Sequence, residues 1–279
     1  MAATVNEPGL AGRFDAAGGR HAPSVPRHVH VEPVMGTMVS IDLRACSAEV
    51  ATAAVGHIVP WLHHVDAVFS TYRYDSAISR IGRRELTAVQ AGGDVAWILD
   101  RCEELRRETD GYFDAWAGGV LDPSALVKGW AVQCAAESLA GYGVTRFCLA
   151  AGGDIACRGG RQPGLPWRIG IQHPYDRAAL AAVAHATDLA VATSGVYERG
   201  AHILDPRTGL APDGVASVTV CGPDLGTADA YATAAFAMGD RAPAWTAGLA
   251  GYEAMTILQD DTVYATAGFP LADSAREAR

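Results

Sequence analysis

Lysine is almost missing from this chain: of its 22 basic residues only Lys128 is a lysine, and the others are arginines. Either that residue survives by chance, or the protein needs a compact, hydrated ammonium where a planar guanidinium does not serve, as beside a phosphate. Basic charge as a whole is also short, with 22 Lys and Arg against 31 Asp and Glu and a net charge of -9. This deficit argues against nucleic acid as a partner, because binding a phosphate backbone rests on clustered cations. A smaller phosphate-bearing ligand then needs a metal ion or a few well-placed cations to offset its charge. No apolar run reaches the length of about 18 residues that a membrane-spanning helix requires, so no membrane span is expected. The six cysteines show no C-x-x-C spacing, which excludes the usual zinc and redox motifs and reads as reduced core residues. Internal repeats and low-complexity inserts are absent as well.

What remains is the composition of a globular protein: 279 residues, 49% hydrophobic, 19% charged and with 31 glycines. Residues 1–27 carry Pro8, Pro23 and Pro26 with scattered charges and no apolar core, and are expected to form a flexible tail. The folded domain is expected over residues 28–270, with a short tail at 271–279. A first cysteine as late as Cys46 leaves no lipid-attachment signal near the start, and cytoplasmic residence is the expectation.

Residues 190–209, AVATSGVYERGAHILDPRTG, read as a hairpin-like unit. An apolar strand meets a Thr193-Ser194-Gly195 turn, and a second strand around residues 201–204 ends in the turn Asp205-Pro206-Arg207-Thr208-Gly209. Such a unit crowds Thr193, Ser194, His202 and Asp205 at strand ends. Before it, residues 28–43 alternate as strands around a bend at Met35-Gly36-Thr37. A helix over 47–68 is capped by Ser47, and a second is capped by Asp94. A third helix over 127–139 places Lys128 in its first turn, where free amides and the positive dipole end favour an anion. Strands are expected at 146–151, 167–172 and 215–221, with an acid-bearing turn at Gly152-Gly153-Asp154. On a helix over 227–238, Asp229 and Thr233 leave the same face one turn apart. They either hold a hard cation such as magnesium through oxygen, or stabilise the helix end and pack. An Ala-rich helix over 240–249 and a hairpin over 253–268 complete the chain.

In order, the segments Met35-Gly36-Thr37, FSTYRYDSAISRI, TDGYFD, LDPSALVKGWAV, AGGDI, TSGVYERGAHILDPRTG and ADAYATAAFAMG resemble those of the FAD:protein FMN transferases, the ApbE-like family. The resemblance covers about residues 31–269. It implies a two-lobed α/β (α+β) fold with mixed sheets and packed helices, FAD in the cleft between the lobes and magnesium at its pyrophosphate. Carried over by motif, Met35, Tyr72, Tyr112, Phe113, Asp114, Asp122, Lys128 and Ile203 line the FAD site. Asp229, Thr233 and the carbonyl of Ala125 hold the metal, and His202 and Lys128 are the catalytic candidates. The implied reaction joins FMN through a phosphoester to a Thr or Ser hydroxyl of an acceptor protein and releases AMP. Two departures stand out: the segment between Asp114 and Asp122 is shorter than in the family, and Gln133 replaces a commonly acidic residue.

The chemistry agrees with the residues. A weak hydroxyl nucleophile attacking an anionic pyrophosphate needs charge offset, which magnesium and Lys128 supply. It also needs a base, and His202 is the natural candidate because an imidazole can titrate near neutral pH, unless it only orients the turn through Asp205. Two other readings use the same residues: a metal-dependent FAD pyrophosphatase, with water in place of the acceptor, and a non-catalytic FAD-binding protein.

Overall fold

The computed structural model describes residues 25–196 and 203–272. A hairpin opens it, β1 (Arg27–Val34) and β2 (Thr37–Arg44), turned by Met35 at φ 54° and Gly36 at φ 69°. Positive φ at both central residues lets a two-residue turn follow the twist of its strands. Helix α1 (Ala48–Phe69) is capped by Ser47, whose side chain accepts from the Val50 amide, as expected. Its buried residues Ala54, Ile58, Leu62, Val65 and Phe69 recur at helical spacing. Two short helices that periodicity is too brief to announce follow, α2 (Ala77–Gly82) and α3 (Ala88–Ala91), begun by Ser76 and by a Thr87–Gln90 capping box. In α4 (Gly93–Glu108) Asp94 lies inside the first turn and does not cap it. The chain enters through Gly92 at φ 119°, a conformation closed to most side chains, and the helix starts immediately after it.

Helix α5 (Ser124–Ser138) begins before the expected residue 127. The Asp122 carboxylate accepts from the Ser124 amide, and the Pro123 carbonyl accepts from Leu126 and Val127, so the Asp122-Pro123 turn is itself the helix start. Lys128 therefore belongs to the second turn, and the dipole argument for an anion beside it loses its basis, since that effect fades beyond the first turn.

The remaining elements are β3 (Arg146–Ala151), β4 (Asp154–Arg158), β5 (Trp167–Gln172), β6 (Leu180–Ala186), β7 (Leu189–Gly195), β8 (Val215–Gly222), α6 (Leu225–Ala237), α7 (Ala242–Thr246), β9 (Glu253–Leu258) and β10 (Val263–Ala265). Eight strands form one sheet in the order β1-β2-β3-β4-β7-β8-β9-β10, with antiparallel neighbours throughout. On one face lie the helices, with Ile41, Leu149 and Val218 of the sheet in one cluster with Ile58, Ile98, Leu126 and Phe236. On the other face the β5–β6 pair supplies Trp167, Ile169 and Ile171 against Cys148, Ile155, Val191 and Ile257. Side chains alternate accordingly along β3 and β4. This is the mixed α+β architecture that the resemblance implies, and no helix among the described residues is long and apolar enough to cross a membrane.

Residues 190–209 depart from the expected hairpin. β7 runs through Thr193 and Ser194 to Gly195 and pairs with β4 and β8. Thr193 and Thr219 are cross-strand neighbours whose hydroxyls bond at 3.0 Å. Once these polar groups have partners, burial between two layers outweighs the local turn signal. Residues 197–202, and with them His202 and the first half of the second expected strand, lie outside the described residues, and Ile203 and Leu204, which are described, are not in a strand. The helix expected over 240–249 is a 3-10 turn, Gly239–Arg241, followed by the short α7.

Candidate active site

The site grows out of the contact between α5 and α6. Helix α6 is buried on almost every side, which its run of alanines permits, because small side chains let a helix lie close to both a sheet and a second helix. On α5 the facing residue is Gly129. A Cβ there would meet the Leu225 carbonyl oxygen at 2.6 Å and the Gly226 Cα at 3.0 Å. The approach places Lys128 of α5 beside Asp229 of α6, with Nζ 3.9 Å from Oδ2.

A third element completes the cluster. Asp154 is the first residue of β4, after the Gly152-Gly153 turn, and shares the helix-facing side of that strand with Ala156, while Ile155 and Cys157 face β5 and β6. Its Oδ2 lies 2.6 Å from Lys128 Nζ. The residue is 0% exposed, and its Oδ1 has no hydrogen-bond partner among the described residues. The Lys128 side chain keeps 22% of its surface open. Lys128 thus meets two carboxylates, Asp154 and Asp229, in a place where unbalanced charge is costly.

These residues fit a hard cation. Asp229 offers carboxylate oxygen, Thr233 its hydroxyl one turn later, and the Ser194 hydroxyl lies 3.4 Å from that of Thr233. No group of three or more His, Cys, Asp or Glu suited to a metal occurs among the described residues. A cation here would complete its shell from hydroxyl, carbonyl, phosphate or water oxygens, as magnesium commonly does.

The other expected residues spread around this centre. Ala125 is partly buried one turn before Lys128 and packs on the main core, as do Met35 and Ile203. Asp122 is exposed at the start of α5. Phe113 is buried, and its amide donates to the Thr109 hydroxyl at 2.9 Å. Tyr112 is buried, its hydroxyl has no hydrogen-bond partner among the described residues, and the guanidiniums of Arg207 and Arg241 lie 4.1 Å and 5.0 Å from its ring centroid. Asp114 accepts from the Trp116 amide at 2.8 Å and lines a 390 Å³ cavity with Ile81, Leu99, Cys102 and Leu121. Tyr72, 87% exposed in the loop after α1, stands out in solvent.

Gln133, the departure from the usual acid, has a definite place. Its side-chain oxygen accepts from the Leu225 amide at 3.2 Å, and its amide donates to Glu137 at 2.9 Å. It thus serves the open N-terminus of α6 as an acid would, without the charge. Farther along α6, the Tyr231 hydroxyl donates to Glu108 Oε2 at 2.9 Å, and burial together with that carboxylate pushes the phenol up to about 12.

Sequence reasoning singled out Lys128, Asp229 and Thr233 and missed Asp154 as a member of the site. The signal was in the phase of β4: in D-I-A-C-R the apolar Ile155 fixes one face, which leaves Asp154 on the other.

Known proteins resemble this chain in sequence and in fold. A Vibrio cholerae protein named FAD:protein FMN transferase is 36% identical over 130 residues, 43% of this chain and 39% of its own length; the match therefore spans less than half of that relative. A Haemophilus influenzae protein of the same name is 26% identical over 74% of this chain and 79% of its own length. Among solved structures, the flavin transferase ApbE of Vibrio cholerae superposes with a TM-score of 0.78 at 25% identity, covering 89% of this chain and all of that one. The ApbE protein of Thermotoga maritima shares the fold, with a TM-score of 0.75 at 22% identity over 87% of this chain and 97% of its own. The ApbE family model matches residues 35–122 and 117–256, so the close packing of α5 on α6 and the acid at the head of β4 are found here in a member of the ApbE family.

Proposed function

We propose that this chain transfers FMN from FAD to a Thr or Ser hydroxyl of an acceptor protein. The acceptor oxygen attacks the FMN phosphorus, the bond to the AMP phosphate breaks, and AMP leaves with the electron pair while the hydroxyl proton passes to a base. The observation that carries this reading is the Lys128 ammonium, held beside Asp154 and Asp229 at the end of a partly exposed side chain. Lysine placed there offers positive charge to a phosphate oxygen without needing to be drawn in from solvent, and prearranged charge of this kind is a large share of phosphoryl-transfer catalysis. The name borne by the relatives points the same way.

Met35, Tyr112, Phe113, Asp114, Asp122 and Ile203 form the proposed FAD wall, with Tyr72 reaching over the ligand from the exposed loop. His202 is the proposed base. Asp229, Thr233 and the Ala125 carbonyl are the proposed magnesium ligands. Bound there, magnesium would neutralise pyrophosphate charge and assist departure of AMP.

The test incubates the protein with FAD, magnesium and a candidate acceptor, then measures AMP by chromatography and acceptor mass by mass spectrometry. The proposal expects AMP and a covalent FMN adduct in equal amounts. AMP formed equally well without acceptor, and no adduct, would identify a pyrophosphatase; bound FAD with no AMP would identify a binding protein.

A further inference from the structure

We infer that Asp154 is a positioning residue that aims the Lys128 ammonium for the transfer step, an inference that rests on the FAD reading above. Lysine has a flexible four-carbon stem, so helix α5 fixes where the side chain begins but not where it ends. Asp154 fixes the end. It is fully buried, its backbone is held in the β3–β4 pairing with Ala151 as partner, and it meets Nζ at 2.6 Å. Asp229, at 3.9 Å, holds the ammonium less closely.

Charge explains why this is a positioning role and not simply part of a binding site. A carboxylate near an anionic pyrophosphate repels it, so a site selected for FAD affinity alone would do better with an amide or an apolar group at residue 154. An anion here lowers ground-state affinity and is useful only if the orientation it imposes on Lys128 matters more as bonds change. Removing it should therefore slow the chemical step without weakening FAD binding.

The experiment is a double-mutant cycle of Asp154→Asn and Lys128→Met, read in three ways: FAD affinity by flavin fluorescence, kcat against KM for AMP release, and Tm. Asp154→Asn is expected to lower kcat by about tenfold or more, since an ångström of misplacement costs up to about a hundredfold, with the Kd for FAD unchanged or tighter. In the Lys128→Met background the same substitution is expected to change kcat by no more than about twofold, near the scatter of independent sites, because no ammonium remains to be aimed. Lys128→Met strands a buried carboxylate and is expected to lower Tm, and adding Asp154→Asn restores it.

Equal losses of kcat from Asp154→Asn in both backgrounds overturn the inference, as does a loss that appears as weaker FAD binding. If Asp154→Asn alone fails to fold, Tm decides: a double variant no more stable than Lys128→Met overturns it. Wild-type protein that binds no FAD sinks the transferase reading and this inference together, whereas wild type that binds FAD with additive variants sinks this inference only.

Discussion

Gly129 and Leu225 touch backbone to backbone: a Cβ on the glycine would stand 2.6 Å from the leucine carbonyl oxygen. An exposed Gly→Ala change inside a helix gains about 0.5–1 kcal/mol. Here the added methyl meets main chain that cannot rotate away, and overpacking costs about 1–3 kcal/mol. Gly129→Ala is therefore expected to lower Tm, by roughly 2–4 °C per kcal/mol for a chain of this size, and to reduce AMP release by moving Lys128 away from Asp229. Thermal denaturation gives the sign, and a higher Tm would show that the helices part freely.

Chelation of divalent cations is expected to abolish AMP release by the wild-type protein and added magnesium to restore it. Asp229→Ala should lose most of that magnesium-dependent turnover while remaining folded, because Lys128 keeps Asp154 at 2.6 Å. Wild-type AMP release from Asp229→Ala at limiting magnesium means the metal is held elsewhere.

His202→Ala is expected to bind FAD as wild type does but to transfer FMN more slowly, by the factor of about 10²–10⁴ that a general base contributes. Single-turnover transfer at saturating FAD isolates the step. A rate within about threefold of wild type, far short of that factor, removes His202 from the base role.

Acid should uncouple α4 from α6. Arg101, and after it the Tyr231 hydroxyl, hold Glu108 below the usual carboxylate range. Since its folded value lies below its unfolded one, its contribution is complete above the ordinary range and disappears as pH falls through the folded value. Glu108→Gln should thus be less stable than wild type near neutrality, by under about 1 kcal/mol for a partly exposed pair, and the two should converge in acid. Tm measured across that range checks the sign; a gap that widens toward low pH would contradict it.

The parts of the site readable in advance were those that share an element or stand out in composition. Asp229 and Thr233 lie one turn apart on a helix, and Lys128 is unique in the chain. Asp154 reaches Lys128 only through strand pairing and the packing of α5 on the sheet, and no local spacing encodes that. The same limit explains β7, where Thr193, Ser194 and Gly195 carry the local signal of a turn but find hydroxyl and strand partners in the buried sheet. It explains the start of α5 too, because Pro123 and Asp122 read as loop until the amides they serve are seen. The eight-stranded sheet was legible strand by strand except for β4, and in the separate β5–β6 pair β6 was the omission; its LAAVAHA run is too weakly patterned to separate from a loop.

The scarcity of lysine has a practical side. Along these 279 residues a reagent that methylates or acylates ε-amines has one place to react, Lys128, whose side chain is partly exposed. Reductive methylation with ¹³C-formaldehyde would give the protein one dimethyl-lysine resonance, placed between two carboxylates with no other side chain to assign. Amine chemistry, ordinarily a blunt modification of protein surfaces, becomes in this chain a spectroscopic probe of one side chain, with only an α-amine besides to tell apart from it.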